Sequence, residues 1–240
     1  VAQLAELIEM YNDAYQTGEA LVSDEEFDSL VEHLRELDPS HPLVTQAYHH
    51  QYQATDGSSP EVTLPVYVGS LDKVKPDTSA LRRFLDKAAG EPVVLSEKLD
   101  GVSIMLVVSE HESGYQFQAL TRGRGFTGHD VSQHLVPYLN LTEIGQQIKG
   151  STGLLTNPLL IRGELILPRS AGDTLETEKN LRSIVSGTVN AKNPKVSVLE
   201  QVRFVAYGLP QADSLHISPM DQIGILESWG VFGLPVYQTR

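Results

Sequence analysis

The side chains best placed for chemistry in this 240-residue sequence are charges set among apolar residues. Ile161-Arg162-Gly163-Glu164 lies in a run flanked by Leu159, Leu160, Leu165, Ile166 and Leu167. A charge inside such a strand is costly to bury without a partner, so Glu164 is a candidate for a role beyond solvation. Lys98-Leu99-Asp100-Gly101 puts a lysine beside an acid in a β-rich stretch. On spacing alone that is ordinarily a solvated ion pair, and a functional pair is the alternative. Thr121-Arg122-Gly123 and Val205-Ala206-Tyr207-Gly208 stand in similar company. Asp24 and Asp28, spaced i,i+4 at the start of a helical stretch, would meet the helix dipole favourably with no ligand at all.

Gly123-Arg124-Gly125-Phe126-Thr127-Gly128 matches the G-x-G-x-x-G of dinucleotide-binding turns, with Glu143 about 20 residues on. That fingerprint requires a crossover helix and then a buried strand. Pro137 cuts the would-be helix, and no apolar strand follows closely, so a Rossmann dehydrogenase is not expected.

The elements that must position these residues are legible in outline. Leu4, Leu7, Ile8, Tyr11, Ala14 and Tyr15 recur at helical spacing. Ser23-Asp24-Glu25-Glu26 is a capping-box pattern, after which Phe27, Leu30, Val31, Leu34 and Leu37 form one stripe until Pro39 and Pro42 end the helix. The two make a helical hairpin. Residues 47–66 are polar and read as a linker. A helix capped by Asp77 or Thr78 is expected over 77–89. Short strands follow at Val93–Leu95, Val102–Val108, Tyr115–Leu120, Leu159–Leu167 and Val202–Tyr207, and a last helix at Met220–Trp229. Helices followed by hairpin-linked strands predict an α+β fold.

Composition narrows the chemistry. There is no cysteine, which excludes zinc ribbons, iron–sulfur sites, disulfides and thiol catalysis. The formal net charge of −13 sits in the N-terminal part, where Arg35 is the sole basic residue before Lys73, and the remainder balances. Any polyanion must therefore be gripped by local Arg and Lys contacts or by another segment. No apolar run approaches the roughly 20 residues of a membrane span, and the first residues lack the basic-then-apolar order of a signal peptide. A cytoplasmic monomer without membrane attachment is expected.

Taken in order, these motifs resemble the N-terminal half of bacterial-type NAD-dependent DNA ligases. Lys98-Leu99-Asp100-Gly101 is similar to nucleotidyltransferase motif I. Thr121-Arg122-Gly123 with Thr127-Gly128-His129-Asp130-Val131 is similar to the family's T-R-G-D-G-x-x-G-E-D-V, Arg162-Gly163-Glu164 to motif III, and Phe204 to Gly208 to motif IIIa. Asn180-Leu181-Arg182 resembles the start of N-P-R-N-A-A-A-G, and Ser70-Leu71-Asp72 the S-L-D-N before the catalytic domain. Tyr15 and Asp24 to Asp28 resemble elements of the small domain that holds nicotinamide mononucleotide.

The resemblance implies a helical domain and linker over 1–65. Over 66–240 it implies a partial nucleotidyltransferase domain of the ATP-grasp-like DNA ligase type, with antiparallel sheets and flanking helices. It implies that Lys98 attacks the α-phosphorus of NAD, forming lysyl-AMP and releasing nicotinamide mononucleotide, with Mg2+ neutralising phosphate charge. AMP would then pass to the 5'-phosphate of nicked DNA. Asp100 would orient the lysine, Glu164 take a ribose hydroxyl, Arg122 hold the sugar and phosphate, and Tyr207 lie against adenine. Ser70 and Leu71 would close on the purine, Ser96 and Glu97 precede the nucleophile within the nucleotide pocket, and Asn180 and Arg182 meet DNA. Tyr15, Asp24, Phe27 and Asp28 would recognise the nicotinamide nucleotide.

The sequence departs from the pattern in places. Gln16 and Phe27 replace a His and a Tyr near the nicotinamide site; Ser96 replaces an adenine-contacting Glu, while Glu97 directly precedes the lysine. Arg124 replaces an acid, and Asn190 a second arginine for the nick phosphate. Motifs IV and V, with their two phosphate lysines, are not in the sequence. A fragment of a longer ligase, or one subunit of a split enzyme, is expected. An RNA-end ligase or related ATP- or NAD-using transferase, and a non-catalytic nucleotide-binding subunit, are the alternatives.

Overall fold

The computed structural model describes the chain except for residues 17–20, 46–58, 70–73, 77, 92, 124, 140, 151–154, 176–179, 232–235 and 239–240. It does not describe the side chains of 13, 15, 16, 24, 25, 28, 45, 142, 173, 174 and 236–238. Helices α1 (Ala2–Gln16) and α2 (Asp24–Leu37) pack through buried Ala5, Ile8 and Leu34, with Leu4, Phe27, Leu30 and Val31 against them. The predicted capping box is present: Ser23 Oγ accepts from Glu26 N at 3.2 Å, and Glu26 Oε2 accepts from Ser23 N at 2.9 Å. The Ser23 N–H, joined by the Ser23 hydroxyl, donates to the Glu26 carboxyl and holds it below its usual range. The stripe runs one turn shorter than its pattern, since Leu37 is 53% exposed. Pro42 starts a helix rather than ending one: α3 (Pro42–Thr45) follows His41, whose Nδ1 accepts from Leu43 N at 3.2 Å. A proline fits the first helical position because no partner for its nitrogen is needed there.

Of the segment expected as linker, residues 47–58 lie outside the described residues, and near its end strand β1 (Glu61–Thr63) forms. Then come α4 (Ser79–Ala88, N-cap Thr78), β2 (Val94–Ser96), β3 (Val102–His111), β4 (Gly114–Thr121), β5 (Thr127–His129), α5 (Ser132–Leu135) and a 3-10 turn at Val136–Tyr138. α6 (Leu141–Gly150), β6 (Leu159–Ile166), α7 (Arg169–Thr174), α8 (Leu181–Val189), α9 (Val196–Leu199), β7 (Arg203–Gly208), α10 (Pro219–Ser228) and β8 (Val236–Gln238) complete it. The result is a mixture of helices and antiparallel sheets, as the α+β expectation has it. No helix among the described residues is long and apolar enough to cross a membrane.

The central sheet has the order β4-β3-β6-β7, every pair antiparallel. One face carries Val102, Ile104, Leu106, Val108, Ile161 and Leu165 into the main core, with Leu135, Ile148, Val185, Leu199 and Trp229. The opposite face carries Met105, Val107, Leu120 and Leu160, covered by Leu64 and Val68. Burial on both faces explains why β3 reads as a continuous apolar run rather than an alternating one. The cover is pinned at its edge: β1 pairs with β5, Leu64 N donates to Phe126 O at 2.7 Å, and the Tyr67 and Phe126 rings lie 5.6 Å apart.

The G-x-G-x-x-G segment serves this corner. Gly128 lies in β5, where a Cβ would sit 2.0 Å from Thr121 O, and α5 is only four residues long before Pro137 turns the chain. Gly101 meets the same kind of constraint, since a Cβ there would fall 2.1 Å from Leu165 O. Gly101→Ala should therefore cost about 2 kcal/mol by forcing β3 from β6. Equilibrium urea unfolding checks this, and a cost below about 0.5 kcal/mol, typical of an unconstrained surface site, would contradict the close approach.

Candidate active site

Beyond the edge of the Leu64 and Val68 cover, the second face of the sheet turns polar. On β6, Arg162 and Glu164 follow Leu160 at alternate positions and share its face, with Met105 and Ser103 of β3 as their register partners. On β7 the register shifts between Arg162 and Gly163: Gly208 pairs with Arg162 and Ala206 with Gly163, so Tyr207 is the additional residue of a bulge. A bulge twists a strand locally and re-aims the side chain it carries. Here the Tyr207 ring lies under the Arg162 guanidinium, 5.6 Å from centroid to Cζ, and its hydroxyl is 3.2 Å from Ser103 Oγ. Arg162 Nη2 donates to Gly69 O at 2.7 Å.

Glu164 is the electrostatic centre. Burial pushes its carboxyl up to about 7, against the pull of Arg182, Lys98, Arg162 and Arg122 in the opposite direction. Arg122, one residue past β4, is lowered mainly by burial and then by the Arg162 charge, while Tyr207 and Glu164 act the other way. One half-buried acid is thus set among four cations contributed by four separate stretches of chain. That arrangement suits an anionic ligand with hydroxyls: the cations meet phosphate, and the acid accepts from the hydroxyls.

Lys98 is exposed, in the loop that leaves β2. Asp100, 57% exposed on its side chain, accepts from Arg182 Nη1 at 3.2 Å. Arg182 stands in the first turn of α8, whose N-cap is Asn180: the Asn180 Oδ1 accepts from Arg182 N at 2.8 Å. Lys98, Asp100, Arg122, Glu164, Tyr207 and Arg182 are thereby linked to one locality, with Asn180 at its border. Ser96 and Glu97 are exposed at the end of β2, where Ser96 pairs with Val236 of β8.

Ser70 and Leu71 lie outside the described residues, as do the side chains of Tyr15, Asp24 and Asp28, whose backbones belong to α1 and α2. Phe27 is half-buried against the hairpin core. Two contacts of the site were missed from the sequence: Arg162 appears there only as part of a motif, and Ser103 not at all. Alternation along β6, Arg162 then Glu164, carries a signal for the first, whereas Ser103 takes its place only from the register of β3 on β6. Among the described residues no group of three or more His, Asp or Glu could hold a metal ion.

Several known proteins are similar to this chain. The model of the NAD-dependent DNA ligase adenylation domain matches residues 64–240. A DNA ligase of Acanthamoeba polyphaga mimivirus is 32% identical over 90% of this chain and 31% of its own length. DNA ligase 1 of Nocardia farcinica is 32% identical over 89% of the chain and 32% of its own, and a DNA ligase of Acinetobacter baumannii 28% identical over 89% and 33%. The chain spans about a third of the length of these relatives. The family model covers residues 64–240, and with them the sheet on which Glu164, its four neighbouring cations and Tyr207 lie, so the chain belongs to the family of NAD-dependent DNA ligase adenylation domains.

Proposed function

We propose that this chain is the adenylate-accepting part of an NAD-dependent DNA ligase, with Lys98 as the nucleophile. The observation that carries the reading is Glu164: a half-buried carboxylate surrounded by Lys98, Arg122, Arg162 and Arg182 on the face that Tyr207 borders. Lys98 Nζ, its proton passing to solvent, attacks the α-phosphorus of NAD. The new N–P bond forms as the P–O bond to nicotinamide mononucleotide breaks, and the AMP held on the lysine then goes to the 5'-phosphate of a DNA nick. Asp100 and Arg182 fix each other beside the nucleophile, Arg122 takes the sugar and phosphate, Glu164 the ribose, and Tyr207 a purine face.

Residues 1–65 act in this reading as a small helical domain for the nicotinamide nucleotide through Tyr15, Asp24, Phe27 and Asp28, and residues 66–240 as the incomplete nucleotidyltransferase domain. Ser70 and Leu71 border the purine, and Asn180 and Arg182 face DNA. Mg2+, when bound, screens phosphate charge. Phosphate oxygens and water suit it as ligands. The relatives' greater length supports a further polypeptide, on the same chain or a partner, that adds phosphate contacts. The setting is a cytoplasmic monomer.

Adenylyl-labelled NAD and ATP, offered separately to the full-length protein, decide the donor. Label from NAD on Lys98, lost in Lys98→Ala with the circular dichroism spectrum unchanged, is expected; label from ATP alone would support the reading suggested by Glu97, and label elsewhere would remove Lys98 from its role. Glu164 generates a second expectation. Its folded value of about 7 exceeds the ordinary 4.5, so the folded state keeps the proton across that window while the unfolded state has released it. Stability from this group is therefore present at low pH and lost as pH rises towards 7. Glu164→Gln should raise the urea midpoint relative to the parent more at pH 8 than at pH 5; an equal difference at both would mean that the carboxyl is not strained by burial.

A further inference from the structure

We propose that Arg162 is a positioning residue that, anchored on the Gly69 carbonyl, holds the Tyr207 ring in place as the surface on which a purine stacks. The inference rests on the nucleotide reading above and goes beyond it, since that reading uses Arg162 only as one of the charges around Glu164. Three observations carry it. The Arg162 Nη2 bond to Gly69 O, 2.7 Å, ties β6 to the end of the segment that covers this face through Leu64 and Val68. The same guanidinium covers one face of the Tyr207 ring, so only the other face is left for a flat ligand. Tyr207 owes its direction to a bulge, where the ladder fixes a side chain least, and so depends on Arg162 above and Ser103 at its hydroxyl.

Chemistry explains why an arginine stands there. A guanidinium is planar, donates in its plane and stacks with its face, so one group can hold a carbonyl and a ring at once. A lysine ammonium keeps the charge beside Glu164 but has no plane, and cannot do both. The guanidinium also comes at a cost, because Arg162 Nε is buried without a hydrogen-bond partner. A residue retained only for its charge gains nothing from that burial.

The test measures binding of AMP and of ribose 5-phosphate to the parent chain, Arg162→Lys, Tyr207→Leu and the double variant, with thermal unfolding of each. In the parent, AMP should bind more tightly. Arg162→Lys should weaken AMP at least tenfold and ribose 5-phosphate less than threefold, Tyr207→Leu should show the same pattern, and the double variant should lose less than threefold beyond the weaker single. Equal AMP affinity in Arg162→Lys, equal loss of both ligands in a folded variant, or additive losses in the double variant would each overturn the proposal. If Arg162→Lys does not fold, Tyr207→Leu decides, and an unchanged AMP preference there overturns it. A parent chain that binds no AMP would remove the nucleotide reading itself, a result distinct from all of these.

Discussion

A carboxylate on a strand packed from both sides has few ways to exist, and the geometry around Glu164 follows from that constraint. Leu160 and Leu165 of the same strand lie in the two opposite cores, so β6 must run through apolar surroundings for most of its length. The acid is tolerated where the apolar cover ends, and where Lys98, Arg122, Arg162 and Arg182 bring positive charge towards it. Burial still dominates, holding the carboxyl far above the ordinary range. Such a group is poised to change its hydrogen bonding when a ligand arrives, which is why perturbed acids gather at functional sites.

The rest of the fold serves to bring those cations from distant parts of the sequence. Lys98 comes from the loop between two sheets, Arg122 from the end of β4, Arg162 from β6 itself, and Arg182 from the first turn of α8. Close backbone approach makes the convergence possible: Gly101 lets the turn after Lys98 lie on β6, and Gly128 lets β5 fold back on β4. The segment from Leu64 to Val68 then seals the apolar part of the same face and delivers Gly69 to Arg162.

Most strands and the capped helices were legible because their signals are local. The capping box at Ser23, the hairpin between β3 and β4, and the break at Pro137 each depend on a few neighbouring residues. Features set by distant pairing were not. Residues 61–63 look polar and linker-like, and become a strand only because β5 lies beside them. Likewise α8 and α6 have no strong signature apart from the core they cover. In the site, Glu164 stood out as a charge in an apolar run, whereas Ser103 and Arg162 gained meaning only from the register of β3 on β6 and the bulge in β7. Pro42 was misread because the same ring that ends one helix can begin the next.

In the proposed function Lys98, Glu164 and Tyr207 border a single nucleotide. A crystal structure of the protein with AMP tests it most directly. The account predicts the phosphate at Lys98, the ribose hydroxyls on Glu164, and the purine on the face of Tyr207 opposite Arg162. AMP bound away from this patch, with Glu164 left untouched, would contradict it.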